Sequence, residues 1–194
     1  MLLKLYQAGQ PILRQSAKSV TKQQLASKHV QDVIDFMIAT LRDAPGVGLA
    51  APQVGEALRI VIIEDKVKYH DQVHPPLFKE QGRKAVALKV LVNPEIEIID
   101  QEKLYYFEGC LSVDGYTAVV PRSRQVRVTA LDRTGKPISF VAHDWLARIV
   151  QHEVDHLDGQ LYIDRMISTS FMTLKNYTLL WRKALTAKIK NTFS

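Results

Sequence analysis

Apolar residues recur at helical spacing near the N-terminus of the chain. Val30, Val33, Ile34, Met37 and Leu41 follow one another at spacings of three, one, three and four, so they line one face of a helix. The pattern predicts an amphipathic helix over residues 25–41 that covers a hydrophobic core. We expect this helix to be structural.

The middle of the chain is typical of β-strands. Short runs rich in branched and aromatic residues alternate with turn-forming residues, and Asp132–Gly135 predicts a hairpin turn. The apolar run Leu104–Phe107 predicts a strand that gives way to a turn near Cys110. The other predicted strands are Leu58–Glu64, Val86–Val92, Glu95–Ile99, Tyr116–Val120, Gln125–Leu131 and Ile138–Ala142.

A second helical stretch, Leu146–Leu157, contains the sequence His-Glu-Val-Asp-His at residues 152–156. Residues four apart share a helix face, so both imidazoles can reach one metal ion while Glu153 lies beside a metal-bound water. Asp144 as N-cap and Gly159 as stop give a helix of about thirteen residues. The alternative is two unrelated histidines on one helix, which this helical context disfavours.

The order of these elements predicts the fold class. A helix comes first, strands follow, and the motif helix comes late. We predict an α+β fold: a single domain with mixed or antiparallel sheets packed around a central metal-binding helix, plus N- and C-terminal helices.

A third ligand discriminates among the families that share this motif, because two histidines are not enough to hold a divalent cation. A metzincin places a third His six residues after His156, where this chain has Tyr162. A thermolysin-like site takes a Glu from a later helix, and no Glu follows Glu153. The residues alone leave as candidates Cys110, Asp155, Asp158, Asp164, His29, His70, His74 and His143.

Some of these candidates are weaker than others. Asp155 suits a salt-bridging group better than a fourth ligand, because another anion would lower the electrophilicity of the metal. His70 and His74 lie in the polar segment Lys66–Lys84, which Pro75-Pro76 interrupts, so we predict a surface loop there.

Cys110 lies in Glu-Gly-Cys-Leu-Ser at 108–112, where a glycine lets the backbone approach a ligand. Earlier, the segment Gly46–Gly55 is too small and glycine-rich for a helix or a well-packed strand interior, and it lacks the phosphate-binding patterns. It predicts a tight loop. Within it, Gln53 can aim an amide N–H at developing negative charge.

Together the segments Gly46–Gly55, Glu108–Ser112 and Gln151–Gly159 resemble the three signature motifs of the peptide deformylases, in the order and spacing of that family. The likeness extends from Gln7–Arg14 to about Met166. The resemblance implies metal ligands at Cys110, His152 and His156, a general base at Glu153, and oxyanion donors at the Gln53 amide and the Leu111 backbone N–H.

The resemblance implies one divalent cation, with Fe²⁺ the expected native ion and Zn²⁺, Ni²⁺ or Co²⁺ as alternatives that compete on affinity. Three protein ligands leave an open position, which is typical of a catalytic site. Our hypothesis is that Glu153 takes the proton of the metal-bound water, that the hydroxide attacks a formyl carbon, and that Glu153 then protonates the leaving amine.

The implied substrates are N-formylmethionyl nascent peptides. On the motif helix Trp145 and Ile149 extend the metal-binding face, and we expect them to form an apolar floor that suits methionine. The set Trp145, Arg148 and Ile149 is more similar to the organellar branch, and Thr117 stands where common bacterial members have Arg. The predicted substrate-binding residues are Val47, Gly48, Leu49, Glu108, Gly109, Trp145 and Ile149.

Composition sets limits on the class of protein. A hydrophobic content of 46% over 194 residues fits one compact domain. We predict a deformylase-like catalytic domain at 1–166 and a basic amphipathic helical extension at 167–194. No apolar run approaches the roughly 18 residues that span a bilayer and no signal peptide is evident, so we expect a cytoplasmic protein, or an organelle-matrix protein if the source is eukaryotic. One cysteine excludes an internal disulfide.

The net charge of +6 is concentrated at the two ends of the chain. After Asp164 there are six basic residues and no acid. One helix is predicted there, with an apolar stripe at Leu174, Tyr177, Trp181, Ala184 and Leu185 and basic residues Lys175, Arg182, Lys183 and Lys190 near a different face.

The predicted basic face suggests that the C-terminal helix contacts the ribosome, as C-terminal extensions in the resembled family do. The alternative is that this face is solvated and has no binding role. No DNA binding and no stable membrane association are expected. Two other classes of function remain open: a small endoprotease with the same water chemistry, and a non-catalytic ribosome-associated protein that keeps the metal as a structural element.

Overall fold

The computed structural model describes residues 1–67 and 73–193. The helices are α1 (Lys22–Leu25), α2 (Lys28–Asp43), α3 (Pro75–Glu80), α4 (Asp144–Leu157), α5 (Leu174–Leu180) and α6 (Thr186–Phe193). The strands are β1 (Gly48–Ala50), β2 (Ile60–Asp65), β3 (Val86–Ile98), β4 (Lys103–Cys110), β5 (Val113–Ser123), β6 (Gln125–Leu131), β7 (Pro137–His143) and β8 (Met172–Thr173).

Two antiparallel sheets surround α4. The larger has the strand order β1-β2-β3-β6-β7, and the smaller has the order β4-β5-β8. One face of the larger sheet packs on α4 through residues such as Val61, Val128 and Val150, and its other face packs on α2 through residues such as Ile62 and Met37. The predicted α+β architecture around a central helix is confirmed.

In the N-terminal helix the predicted apolar stripe is confirmed, but the predicted first residue of the helix is wrong. Ser27 caps α2, with its side chain accepting a hydrogen bond from Val30 N at 3.3 Å, while Thr21 caps a separate one-turn helix, α1. The five predicted positions, Val30, Val33, Ile34, Met37 and Leu41, are all buried. Local capping therefore moved the boundary that periodicity alone had placed at residue 25.

Both ends of α4 are fixed by contacts from other parts of the chain. Trp145 N donates to Gln81 O at 3.1 Å. Asp144 is the first helical residue rather than the N-cap, has a φ of 49°, and places its carboxylate 3.0 Å from Arg124 Nε instead of capping the helix. Gly159 ends the helix as predicted with a φ of 74°, and a Cβ there would lie 2.8 Å from the backbone carbon of Arg14.

Three predictions about the middle of the chain need correction. The glycine-rich segment contains a buried strand, β1, because Gly48–Ala50 pair with β2 and lie under α4. The polar segment contains the short helix α3, whose Leu77 is buried; His74 directly precedes it, and His70 lies outside the described residues. The segments Val86–Val92 and Glu95–Ile99 form a single strand, β3, with an irregular register near Asn93.

The C-terminal region is two short helices rather than one. Trp181 has a φ of −125° and ends α5, and α6 begins at Thr186. Tyr177 and Trp181 pack on Phe107 of β4 at ring-centroid distances of 5.0 and 6.1 Å. Ala184 is buried, but Leu174 and Leu185 are exposed, so the predicted single stripe is wrong. Packing of the large aromatic residues, and not helical periodicity, sets this geometry.

Among the described residues, no helix is long and apolar enough to cross a membrane.

Candidate active site

Three side chains with metal-ligating atoms meet beside α4. The Cys110 thiol sulfur and ring nitrogens of His152 and His156 all lie within 4.8 Å of one another, and Cys110 Sγ is 3.3 Å from His156 Nε2. The helix supplies both histidines from one face, and Cys110 is the last residue of β4, where the predicted strand end is confirmed. A thiol and two imidazoles form a donor set suited to a borderline divalent cation.

The carboxylate of Glu108 contacts the imidazole of His152. Its Oε2 is 2.9 Å from His152 Nδ1, and its carboxylate also accepts hydrogen bonds from Arg122 at 3.0 Å and from Arg148. Burial opposes ionisation, but the two arginines outweigh it and hold the pKa of Glu108 well below its usual value. The ionised carboxylate accepts the Nδ1–H of His152, which leaves Nε2 as the metal-facing atom.

Protonation of the two histidines differs as a result. Burial opposes a charge on His152, but hydrogen bonds to Cys110 and Glu108 outweigh it and raise its pKa well above the ordinary value. Burial and the neighbouring charge of His152 hold the pKa of His156 well below the ordinary value. A cation that binds here therefore competes with a proton for the His152 imidazole.

Asp155 lies outside the set of close donors and forms ion pairs instead. Its carboxylate accepts hydrogen bonds from Arg122 at 2.5 Å and from Arg165 at 2.7 and 2.8 Å. Because Arg122 also binds Glu108, one guanidinium ties α4 to β4. The salt-bridging role predicted for Asp155 matches this geometry.

Glu153 is buried against the backbone of β1. One of its carboxylate oxygens, Oε2, has no hydrogen-bond partner, and burial raises the pKa of Glu153 to about 7. A Cβ on Gly48 would lie 2.7 Å from the Glu153 carboxyl carbon, so only glycine leaves room for this side chain. A carboxyl group with a pKa near neutrality is suited to accept and return a proton.

Gln53 lies within the 3₁₀ turn Ala51–Val54, and its amide approaches the Cys110 thiol. Its Oε1 accepts the Ala50 N–H at 2.8 Å, which orients the amide, and its Nε2 lies 3.5 Å from Cys110 Sγ and 3.2 Å from Ser112 Oγ. Leu111 follows Cys110 in the tight turn between β4 and β5, and its carbonyl accepts a hydrogen bond from Gln7 at 2.9 Å. Of the two predicted oxyanion donors, the Gln53 amide therefore borders the thiol, and Leu111 is the next residue in the chain after Cys110.

The predicted substrate-binding residues are not all in one place. Gly48 and Gly109 border the site, since Gly48 packs on Glu153 and Gly109 precedes Cys110. Val47, Trp145 and Ile149 belong to one hydrophobic core cluster, and Arg83 lies over the Trp145 ring at 4.6 Å. Their contact with substrate stays a prediction.

The side chains of two other predicted residues are taken up by contacts within the protein. Leu49 is fully buried in the second cluster, against α2, because alternation along β1 points it away from Gly48 and Ala50. The Glu108 carboxylate is occupied by Arg122, Arg148 and His152. Substrate contact by these two side chains stays a prediction that the geometry does not favour.

Sequence reasoning missed two residues of the site. Arg122 directly follows the apolar run Ala118–Pro121 of β5, and nothing in its local pattern shows that it meets Glu108 and Asp155. Tyr162 was considered only as a missing ligand. Its ring stacks on His152 at a centroid distance of 6.3 Å, and its buried hydroxyl has no partner. Its place shortly after the motif was the one available signal.

A family model described as polypeptide deformylase matches residues 2–171, which include every residue of this site. This chain belongs to the polypeptide deformylase family. The curated relatives of this chain include a chloroplastic peptide deformylase 1A from Solanum lycopersicum, 43% identical over 175 residues, and a chloroplastic/mitochondrial peptide deformylase 1A from Arabidopsis thaliana, 45% identical over 172 residues.

The alignments cover 90% and 89% of the chain but only 63% and 64% of these two plant relatives, so the chain spans less than two thirds of their length. Among solved structures, a class I type b peptide deformylase from Acinetobacter baumannii with Met-Ala-Ser bound superimposes with a TM-score of 0.76 at 34% identity. It covers 86% of this chain and 99% of that one.

Proposed function

We propose that this chain removes the N-formyl group from the N-terminal formylmethionine of nascent peptides and releases formate, in a metal-dependent hydrolysis. The clustering of Cys110, His152 and His156 within 4.8 Å, on the helix that also holds the buried carboxyl group of Glu153, is the observation that carries the proposal. Family membership and the Met-Ala-Ser complex of the Acinetobacter baumannii relative support it.

The residues present fit a catalytic divalent cation. Cys110, His152 and His156 would hold it, with His152 oriented by Glu108 at 2.9 Å. Such a cation supplies Lewis acidity, which lowers the pKa of a water molecule and polarises the formyl carbonyl. We propose Fe²⁺ as the native ion; Zn²⁺, Ni²⁺ and Co²⁺ suit the same thiolate and imidazole donors.

In this proposal Glu153 moves the proton. Its carboxylate takes a proton from the attacking water and delivers it to the amide nitrogen as the C–N bond breaks. The Gln53 amide and the Leu111 N–H donate to the formyl oxygen as it gains negative charge. The Ala50 N–H, which holds Gln53 Oε1 at 2.8 Å, keeps the amide oriented before the reaction begins.

The direct test is formate release from formyl-Met-Ala-Ser by protein purified anaerobically with ferrous iron, together with metal analysis. We expect rapid release by the wild type and loss of both metal and activity in Cys110→Ala. A fully metallated wild-type protein that releases no formate from any formyl peptide would refute the proposal. Casein cleavage without formate release would instead favour an endoprotease.

We further propose that the exposed basic residues of the C-terminal tail, α5 and α6 (174–193), contact ribosomal RNA. Lys175, Arg182 and Lys183 are exposed on and just after α5, close to Leu179, which is 77% exposed. Lys190, also predicted for this basic face, is exposed and has its ammonium over the Tyr105 ring at 5.4 Å.

Charge reversal tests the ribosome proposal better than truncation does. Removing residues 172–194 would uncover Phe107, on which Tyr177 and Trp181 pack. A Lys175→Glu/Lys183→Glu variant keeps that packing. We expect weaker, still salt-sensitive co-sedimentation with ribosomes for this variant; unchanged co-sedimentation would contradict the proposal.

The boundary between a catalytic domain at 1–166 and an extension at 167–194 is also a proposal. The family match ends at residue 171, which supports it. For location, the plant relatives are named as chloroplastic and chloroplastic/mitochondrial proteins, which is compatible with an organelle matrix; a cytoplasmic location stays a prediction.

A further inference from the structure

Two large aromatic side chains are exposed together at the end of the smaller sheet. Tyr116 is 42% and Phe171 41% exposed, and their rings stack with centroids 5.0 Å apart and an interplanar angle of 7°. Tyr116 lies in β5 and pairs with Thr173 of β8, and Phe171 directly precedes β8. The pairing of β5 with β8 therefore holds a flat aromatic surface open to solvent.

This Tyr116–Phe171 pair lies close to the candidate metal ligands. Strands β4 and β5 pair at Glu108 with Ala118 and again at Cys110 with Val113, so residues 114–117 of β5 lie opposite the single residue Gly109. Gly109 is exposed, and a Cβ on it would have Tyr116 O as its nearest neighbour at 3.8 Å. The bulge places the aromatic pair beside the residue next to Cys110.

We propose that the Tyr116–Phe171 pair binds the third residue of the peptide substrate and favours an aromatic side chain there. This inference rests on the proposed function. In an extended peptide, side chains alternate between two faces, so the third residue points to the same side as the methionine that enters the site. Exposed Gly109 lets the peptide backbone pass close to β4, and an aromatic third residue then stacks on the pair.

The residue after Tyr116 supports assigning this binding role to the aromatic pair. At position 117 the chain has Thr, and its hydroxyl donates to Glu108 O at 2.7 Å, so it is buried and directed inward. Thr117 therefore offers no charged group to the peptide. The Tyr116–Phe171 pair, in contrast, is exposed and offers an apolar stacking surface.

The test compares kcat/KM for formyl-Met-Ala-Phe and formyl-Met-Ala-Ala, with formyl-Met-Ala amide as a substrate that lacks the third residue. For the wild type we expect about a three- to tenfold preference for the phenylalanine peptide. Tyr116→Ala and Phe171→Ala should lose this preference while the shorter substrate is hydrolysed at an unchanged rate. Tyr116→Phe, which keeps the ring, should retain it.

Leu179→Ala is the matched control, since it removes an exposed apolar side chain on α5. A preference that persists in both alanine variants, or equal loss for all three substrates, overturns the inference. A wild type that hydrolyses the tripeptides without preference also overturns it while the proposed function stands. If no formyl peptide is hydrolysed at all, the proposed function has failed.

Discussion

The charged groups around α4 and those of the C-terminal tail are organised in opposite ways. In the α4 ion network, defined as Glu108, Arg122, Arg148, His152 and Asp155, every side chain is buried and paired. In the tail, Lys175 and Lys183 are exposed and surrounded by exposed leucines. The tail is attached by aromatic packing on Phe107 instead.

This difference determines how each region responds to change. Removing one member of a buried network leaves its partner charged and desolvated, which is costly. Removing an exposed charge changes little except long-range attraction to a charged partner. We therefore expect catalysis and stability to depend on the α4 ion network and its neighbours, and the tail to affect association only.

The largest effect is expected for Glu153→Gln, beside the network. The amide cannot accept a proton, so kcat for formate release should fall by about 10²–10⁴, while bound metal is retained because none of the three candidate ligands is altered. Steady-state kinetics with metal analysis measures both. Glu97→Gln, on an exposed side chain, serves as the control. Near-normal turnover of metallated Glu153→Gln would show that another group moves the proton.

Next comes Gly48→Ala. The added methyl group overlaps the Glu153 carboxylate and must displace it, and we expect kcat/KM to fall by about 100-fold with little change in metal content. Gly135→Ala, at a hairpin turn with a φ of 84°, strains the backbone far from α4 and should leave kinetics unaltered. Equal losses in the two variants would attribute the effect to general destabilisation.

Glu108→Gln tests the network itself. Arg122, Arg148 and His152 lose their common anion, so we expect destabilisation of about 3–5 kcal/mol in urea unfolding. Metal affinity should fall by about 10–100-fold because His152 loses its orienting carboxylate. Glu64→Gln, which breaks the partly exposed pair with Arg42, should cost at most about 1 kcal/mol. Equal losses of stability in Glu108→Gln and Glu64→Gln would contradict the expected difference between buried and exposed charges.

A pH dependence follows from the burial of Glu153 in the metal-free protein. Folding raises its pKa from the ordinary 4.5 to about 7. Between these values the folded state keeps a proton that the unfolded state has lost, so this group destabilises the fold increasingly as pH rises through the interval.

Glu153→Gln should therefore stabilise the metal-free protein more at about pH 8 than at about pH 5, as measured by urea unfolding. Added metal should shrink the difference, because a nearby cation lowers the pKa of the carboxyl group. A stabilisation independent of pH would contradict the assignment of a raised pKa to Glu153.

The smallest effect on activity is expected for Trp181→Ala in the tail. Loss of the Trp181 ring, which packs on Phe107 and Phe193, should loosen the tail and speed its removal by a protease. Formate release should stay unchanged because none of these rings contacts the candidate ligands. A large loss of activity would show that the tail and the site are coupled.

What the sequence predicts well is the part fixed by local geometry. His152 and His156 share a helix face because of their spacing alone, and the strand β6 has the predicted bounds. Cys110 became a ligand candidate through its setting and the family resemblance, since only the hairpin of β4 and β5 brings it to α4.

The rest depends on contacts between distant segments. The burial of Arg122 and the neighbourhood of Tyr116 and Phe171 follow from strand pairing that no local pattern encodes. The tail shows the opposite failure: helical periodicity continues through Trp181, but docking on Phe107 ends the helix there. Periodicity predicts which residues are apolar, whereas tertiary packing decides whether the helix continues.

The most direct test of the central claim is the absorption spectrum of the cobalt-substituted protein. If Cys110, His152 and His156 hold one divalent cation, one Co²⁺ per chain should give a sulfur-to-cobalt charge-transfer band, and Cys110→Asp should bind cobalt without that band. A wild-type protein that binds cobalt with no sulfur ligand, or binds none, would contradict the account.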